Sequence, residues 1–170
     1  MEERGFTEGF RAAVITVSTS RARGEGEDTG GPALAAYAER LGATVVGAEV
    51  IEDDRELIAE RLRRLCDEGG CELVLTTGGT GFSPDDLTPE ATRDVIEREA
   101  PGLPEAMRAA SREHTAMWMT SRGIAGTRGS TLIVNFPGNP PAIDQAGAAL
   151  ERAIPHAVAL LSGKRGHPDR

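Results

Sequence analysis

Four short apolar runs punctuate the chain: Ala12–Val17, Ala43–Ile51, Leu73–Thr77 and Thr131–Phe136. The first, third and fourth are nearly continuous in apolar or threonine residues, the pattern of strands buried on both faces. Between them the apolar positions recur at helical spacing. Leu34, Tyr37, Ala38 and Leu41 follow Pro32 and stop at Gly42; Leu57, Ile58, Leu62 and Leu65 stop at Gly69-Gly70. The segment Arg21 to Gly31 reads as a loop. Strand followed by helix at this spacing predicts βαβ units, and so an α/β fold: a doubly wound, mostly parallel sheet with helices on both faces in three layers. Helices are expected over 89–99 and 104–114, and an antiparallel edge strand is allowed within 121–129. The closing helix carries Ile143, Leu150, Ile154, Val158 and Leu161 near one face, and Pro155 should kink or split it. Met117-Trp118-Met119 reads as core or as a subunit contact. Residues 11–162 make one domain, with tails over 1–10 and 163–170.

At 170 residues, 39% apolar and 27% charged, such a chain can bury a full core without staples. A net charge of −8 argues against a broad nucleic-acid surface. No apolar run approaches the ~20 residues of a membrane span. The polar start Met1-Glu2-Glu3-Arg4 lacks a signal region, so the expected location is the cytoplasm. Cys66 and Cys71 have no second pair or nearby histidine, so buried thiols are the better reading than zinc. His114, His156 and His167 fall in no ligand spacing.

The chemistry concentrates after the third run, at Thr76-Thr77-Gly78-Gly79-Thr80-Gly81, followed by Asp85-Asp86-Leu87-Thr88-Pro89-Glu90. The glycines let backbone amides approach an anion, and Thr88-Pro89 reads as a helix N-cap and first turn. Strand, glycine loop and helix start describe a phosphate-binding corner. The loop matches neither the P-loop nor the dinucleotide fingerprint, and is as compatible with a tight structural turn. In an open parallel sheet, ligands sit beyond the carboxyl ends of the strands. Ser18-Thr19-Ser20, Glu52-Asp53-Asp54, Thr77 to Asp86 and Asn135 to Gly138 should therefore converge. Asp53 with Glu56 fits a capping box, and Asp86 can organise the turn before Thr88, so each aspartate alone has a structural explanation. As a pair at neighbouring strand ends, two carboxylates can hold Mg²⁺ through oxygens and waters.

With Thr76-Thr77-Gly78-Gly79-Thr80-Gly81-Phe82, Asp86-Leu87-Thr88-Pro89-Glu90-Ala91-Thr92, Ser121-Arg122 and Thr131 to Gly138, the chain resembles the molybdopterin adenylyltransferases of molybdenum cofactor biosynthesis. That family includes bacterial Mog- and MoaB-type proteins and the G domain of gephyrin. The resemblance spans essentially the whole chain. It implies attack of the terminal phosphate of molybdopterin on the α-phosphate of Mg-ATP, giving adenylylated molybdopterin and pyrophosphate. It implies Asp53 and Asp86 as the catalytic, Mg²⁺-holding pair. Contacts to pterin and nucleotide would come from Ser18, Thr77, Gly78, Gly79, Thr80, Gly81, Thr88, Glu90, Ser121, Arg122, Asn135, Pro137 and Gly138. A homotrimer, or a hexamer of paired trimers, and hand-over of product to a molybdate-insertion enzyme are also implied. One departure is Asp85, where the family often has an arginine just before the motif aspartate. It supports an alternative: a catalytically weak paralogue that binds molybdopterin or nucleotide as a carrier or assembly protein.

Overall fold

The structure, a computed structural model, describes residues 9–163. The strands are β1 Phe10–Val17, β2 Ala43–Ile51, β3 Leu73–Thr77, β4 Arg98–Glu99, β5 Ala125–Arg128 and β6 Thr131–Phe136. The helices are α1 Thr19–Ala22, α2 Gly30–Arg40, α3 Arg55–Asp67, α4 Thr88–Arg93, α5 Gly102–Ser111, α6 Pro140–Gly147 and α7 Ala153–Leu161. The strands form one sheet in the order β2-β1-β3-β6-β5-β4. The four strands β2, β1, β3 and β6 run parallel, and β5 is antiparallel to both its neighbours.

Period-two alternation divides each central strand between two cores. Ala12 and Val14 of β1, Leu73 and Leu75 of β3, and Leu132, Val134 and Phe136 of β6 face α2, α5, α6 and α7, meeting Leu34, Tyr37, Met107, Ile143, Ile154 and Val158. Ala13, Ile15 and Val17, Val74, and Ile133 face α3 and α4, meeting Ile58, Ala59, Leu62 and Ala91. Both layers are needed because β1, β3 and β6 have apolar residues on each face. That is the three-layer arrangement the runs predicted. In register, Thr16 stands beside Thr77, and Thr77 beside Phe136, so the three strands end together.

Several elements depart from expectation. The helix expected over 89–99 ends at Arg93 because the chain beyond is captured by β5: the Glu97 amide donates to the Thr127 carbonyl at 2.8 Å and the Ala100 amide to that of Ala125 at 2.9 Å. Gly126 permits this approach, since a Cβ there would lie 2.7 Å from the Arg98 carbonyl. Tertiary pairing outweighs helix propensity here. The loop expected over 21–31 is helical at both ends: Arg21 and Ala22 belong to the single turn of α1, capped by Ser18, whose hydroxyl accepts from the Arg21 amide, and Gly30 and Gly31 open α2. The closing helix breaks between α6 and α7, and Pro155 sits in the first turn of α7, where its missing N–H removes no helical bond. Met117 and Met119 are 63% and 62% exposed around a 3-10 turn at Trp118–Thr120, so they are not core. Among the described residues, no helix is long and apolar enough to cross a membrane. The tails over 1–8 and 164–170, including His167, lie outside the described residues.

Candidate active site at the carboxyl edge of the sheet

The parallel strands bring the four expected loops to one edge. The Ser18 amide donates to the Ile51 carbonyl at 2.9 Å and the Gly78 amide to that of Phe136 at 3.3 Å, so each loop leaves beside its neighbour. The Thr77 hydroxyl donates to the Pro137 carbonyl at 2.7 Å, tying the third strand end to the fourth. Gly138 lies against the start of α2: a Cβ on Gly30 would sit 3.0 Å from its carbonyl oxygen. The glycine loop then threads between two carboxylates. A Cβ at Gly79 would collide with the Thr88 hydroxyl and stand 3.4 Å from Asp53 Oδ1, and one at Gly81 would stand 2.8 Å from Asp86 Oδ2.

Asp53 is not the cap of α3. Asp54 is, accepting from the Leu57 amide at 2.8 Å. Asp53 turns the other way, its Oδ2 accepting from the Thr19 amide at 2.8 Å and the Thr19 hydroxyl at 3.0 Å, while the Asp53 amide donates back to that hydroxyl at 2.9 Å. Sequence reading missed Thr19, which orients Asp53 from a neighbouring strand end. Asp86 organises its own turn as expected, accepting from the Ser83 amide at 2.9 Å. Its neighbour Asp85 is exposed. Among the described residues no three His, Cys, Asp or Glu side chains cluster as a metal cage. Two carboxylates beside a phosphate-sized loop nonetheless fit Mg²⁺, which takes one or two carboxylates and completes its shell with phosphate oxygens and water.

Arg122 is not a free cation. Its Nε donates to the Gly81 carbonyl at 2.7 Å, its Nη2 to the Asp86 carbonyl at 2.7 Å, and its Nη1 to the Glu90 carboxylate. That bond holds the Glu90 carboxyl below its ordinary range. The pair therefore contributes stability above the ordinary glutamate pKa and loses it as pH falls through the depressed one. Thr88 is no N-cap either. Buried as the first residue of the six-residue α4, it donates its hydroxyl to the Gly78 carbonyl at 3.0 Å and its amide to that of Gly79 at 3.1 Å. The helix start expected to face an anion is thus bonded to the loop itself.

Asn135 is 2% exposed and fully engaged. Its Nδ2 donates to the Thr76 and Thr92 hydroxyls, both at 3.0 Å, and its Oδ1 accepts from the Ile124 amide at 3.1 Å. It joins β3, α4 and the chain entering β5. Asn135→Leu, close in volume, strands the Ile124 amide and should cost about 2–3 kcal/mol. Denaturant unfolding with an unchanged m value checks this; a loss below about 1 kcal/mol would show the network is dispensable.

Of the remaining expected residues, Thr80, Gly81, Ser121 and Pro137, with Asn135, line a cleft of about 250 Å³ on the α5–α6 side, walled by Met107, Arg108 and Trp118. Arg108 braces it, donating to the Gly123 carbonyl at 3.1 Å and that of Ser121 at 3.4 Å. Asp28 accepts from the Thr16 hydroxyl at 2.9 Å and the Gly31 amide at 3.0 Å, joining the end of β1 to the start of α2. Cys66 and Cys71 are free thiols; burial pushes Cys66 up to about 11 and also raises Cys71. Neither is near the edge loops' chemistry.

A mostly parallel sheet with helices on both faces, whose carboxyl edge holds a glycine loop between two carboxylates next to a cleft, places the chain in the class of three-layer α/β domains. The family described as "Probable molybdopterin binding domain" matches residues 13–156, and the chain belongs to it. A molybdopterin adenylyltransferase from Helicobacter pylori is 38% identical over 152 residues, covering 88% of this chain and 86% of that one. The molybdenum cofactor synthesis protein cinnamon of Drosophila melanogaster is 36% identical over 155 residues, 91% of this chain; the match spans only 26% of the fly protein. Among solved structures, the molybdopterin biosynthesis enzyme MoaB of Thermus thermophilus superposes with a TM-score of 0.84 at 42% identity, covering 93% of this chain and 99% of that one.

Proposed function

We propose that the chain is a molybdopterin adenylyltransferase acting in molybdenum cofactor biosynthesis, with molybdopterin and ATP as substrates. The observation that carries this reading is the glycine loop, with Asp53 Oδ1 facing Gly79 and Asp86 Oδ2 facing Gly81. A phosphate oxygen of molybdopterin attacks the α-phosphorus of ATP. The bond from that phosphorus to the bridging oxygen breaks, and pyrophosphate leaves with the electron pair. The attacking phosphate is ionised near neutral pH, so no general base is required. Positioning and charge neutralisation dominate the barrier. Asp53 and Asp86 would hold the Mg²⁺ that accompanies ATP, which would supply neutralisation of phosphate charge. Thr19 and the Ser83 amide keep the two carboxylates aimed at the loop. Further parts of the proposal are a homotrimer in the cytoplasm and hand-over of the adenylylated product to a molybdate-insertion enzyme.

Besides Asp85, a carrier reading has a structural observation in its favour: Arg108 in the cleft wall and Arg122 beside the glycine loop are engaged with carbonyls and Glu90. Purified protein with molybdopterin and Mg-ATP separates the two. Adenylyl transfer predicts pyrophosphate release that requires both substrates. Tight pterin binding without pyrophosphate would replace it with the carrier.

A further inference from the structure

A side chain carrying a positive charge at a phosphate site invites assignment as a phosphate ligand. Arg122 is placed for a different task. The loop from Gly81 to Asp86 leaves the glycine turn at one end and delivers the second carboxylate at the other. A single guanidinium spans it: Nε takes the Gly81 carbonyl and Nη2 takes the Asp86 carbonyl, both at 2.7 Å. Glu90, in the first turn of α4, fixes the remaining edge of the guanidinium. The Phe82 ring, 72% exposed, lies under it at 5.8 Å from the ring centroid. The Arg122 amide also donates to the Thr80 carbonyl at 2.8 Å, so backbone and side chain grip the same loop from both sides. The donors of the fork thus point at protein acceptors, with a ring on one face.

We propose that Arg122, with Glu90, is a positioning pair that sets where the Asp86 carboxylate stands, and is not a ligand of either substrate's phosphates. This rests on the adenylyl-transfer reading for its effect on turnover, but not for its effect on the loop. The pair also connects the cleft wall to the carboxylate: Ser121 lines the cleft, Arg122 follows it, and Arg108 braces the carbonyls of Ser121 and Gly123. Movement of that wall is transmitted to Asp86 through the guanidinium. Lysine keeps the charge but has no planar fork to bridge two carbonyls and a carboxylate.

A phosphate ligand and a positioning residue give opposite kinetic signatures. Arg122→Lys should lower kcat for pyrophosphate release by about 10–100-fold, as small misplacements of catalytic groups do, with KM for Mg-ATP and pterin affinity within about threefold of wild type. Glu90→Gln retains one acceptor for the fork and should fall about tenfold in kcat. Independently of activity, amide hydrogen exchange at Ser83 and Asp86, which bond to one another across the turn, should accelerate about tenfold or more in Arg122→Lys. Unchanged exchange overturns the proposal, as does a raised KM with kcat retained. If exchange accelerates while wild-type protein releases no pyrophosphate, the positioning role stands and the adenylyl-transfer reading falls.

Discussion

On the adenylyl-transfer reading, Asp86→Asn is expected to lower the rate of pyrophosphate release by about 10²–10³-fold, and Asp53→Asn by a similar factor, with pterin binding retained in both. The size follows from what each substitution removes. Phosphoryl-type transfer needs little covalent help from protein groups, so most of the acceleration is positioning and charge stabilisation in a preorganised site. An amide has the shape of the carboxylate without its charge, so the Mg²⁺ accompanying ATP loses a ligand of full strength. The local architecture survives. The side-chain oxygen of asparagine at 86 can still accept from the Ser83 amide, and at 53 it can still accept from Thr19. The melting temperature should therefore barely move, which separates a chemical loss from a folding loss. Full turnover in both variants would remove the two aspartates from the reaction. Thr19→Val offers a gentler version of the test: it leaves the Asp53 charge but deletes the hydroxyl that both donates to it and accepts from its amide. Its effect should fall between wild type and Asp53→Asn.

The buried strands were plain in the sequence because a strand covered on both faces has nowhere to hide a polar residue. Ala12–Val17, Leu73–Thr77 and Thr131–Phe136 could be read as such without knowing their partners, and strand–helix alternation then supplied the parallel order. The glycine loop was legible as a turn at a strand end, but each aspartate alone had a structural explanation, and only the resemblance pointed to Asp53 and Asp86 as a pair. What could not be read was how polar groups choose among competing partners. Asp53 and Asp54 are adjacent and chemically identical. Which one caps α3 depends on Thr19, 34 positions away, offering Asp53 two donors at the next strand end. Arg122 was placed among the pterin and nucleotide contacts by the resemblance, and nothing local shows that the Gly81 and Asp86 carbonyls converge on it. Thr88 followed by proline has the form of a cap, yet its hydroxyl is drawn to the Gly78 carbonyl, which is brought near only by the fold. The end of α4 was misjudged because β5 arrives from some 30 residues downstream to claim the backbone.

Gly78→Ala is the substitution with the largest expected effect on stability. Gly78 has φ 94°, which an L-residue adopts at about 1–2 kcal/mol. Its new Cβ would also lie 2.4 Å from the carbonyl oxygen of Val17, a backbone atom at the end of the central strand β1. That oxygen cannot swing aside like the tip of a flexible side chain. Moving it would disturb the register that brings Thr16 beside Thr77. Overpacking of this kind adds about 1–3 kcal/mol, so a total of about 2–5 kcal/mol is expected. In a domain of this size each kcal/mol shifts the melting temperature by about 2–4 °C, giving a drop on the order of 10 °C. Gly129→Ala is the matching control. Gly129 has φ 55° but nothing within 4 Å of an added Cβ, so it should lose only about 1 kcal/mol. Equal losses in the two variants would mean that positive φ alone matters and that the glycine loop does not press against β1. The difference between them assigns the glycines separate duties. Gly78 is required for the loop to leave β3 beneath the end of β1, and it would be required whether or not the site bound anything. Gly79 is likewise required by the fold, with φ 66° and the Thr88 hydroxyl where a Cβ would stand, while Gly81 has no positive φ and is limited by the nearby Asp86 carboxylate.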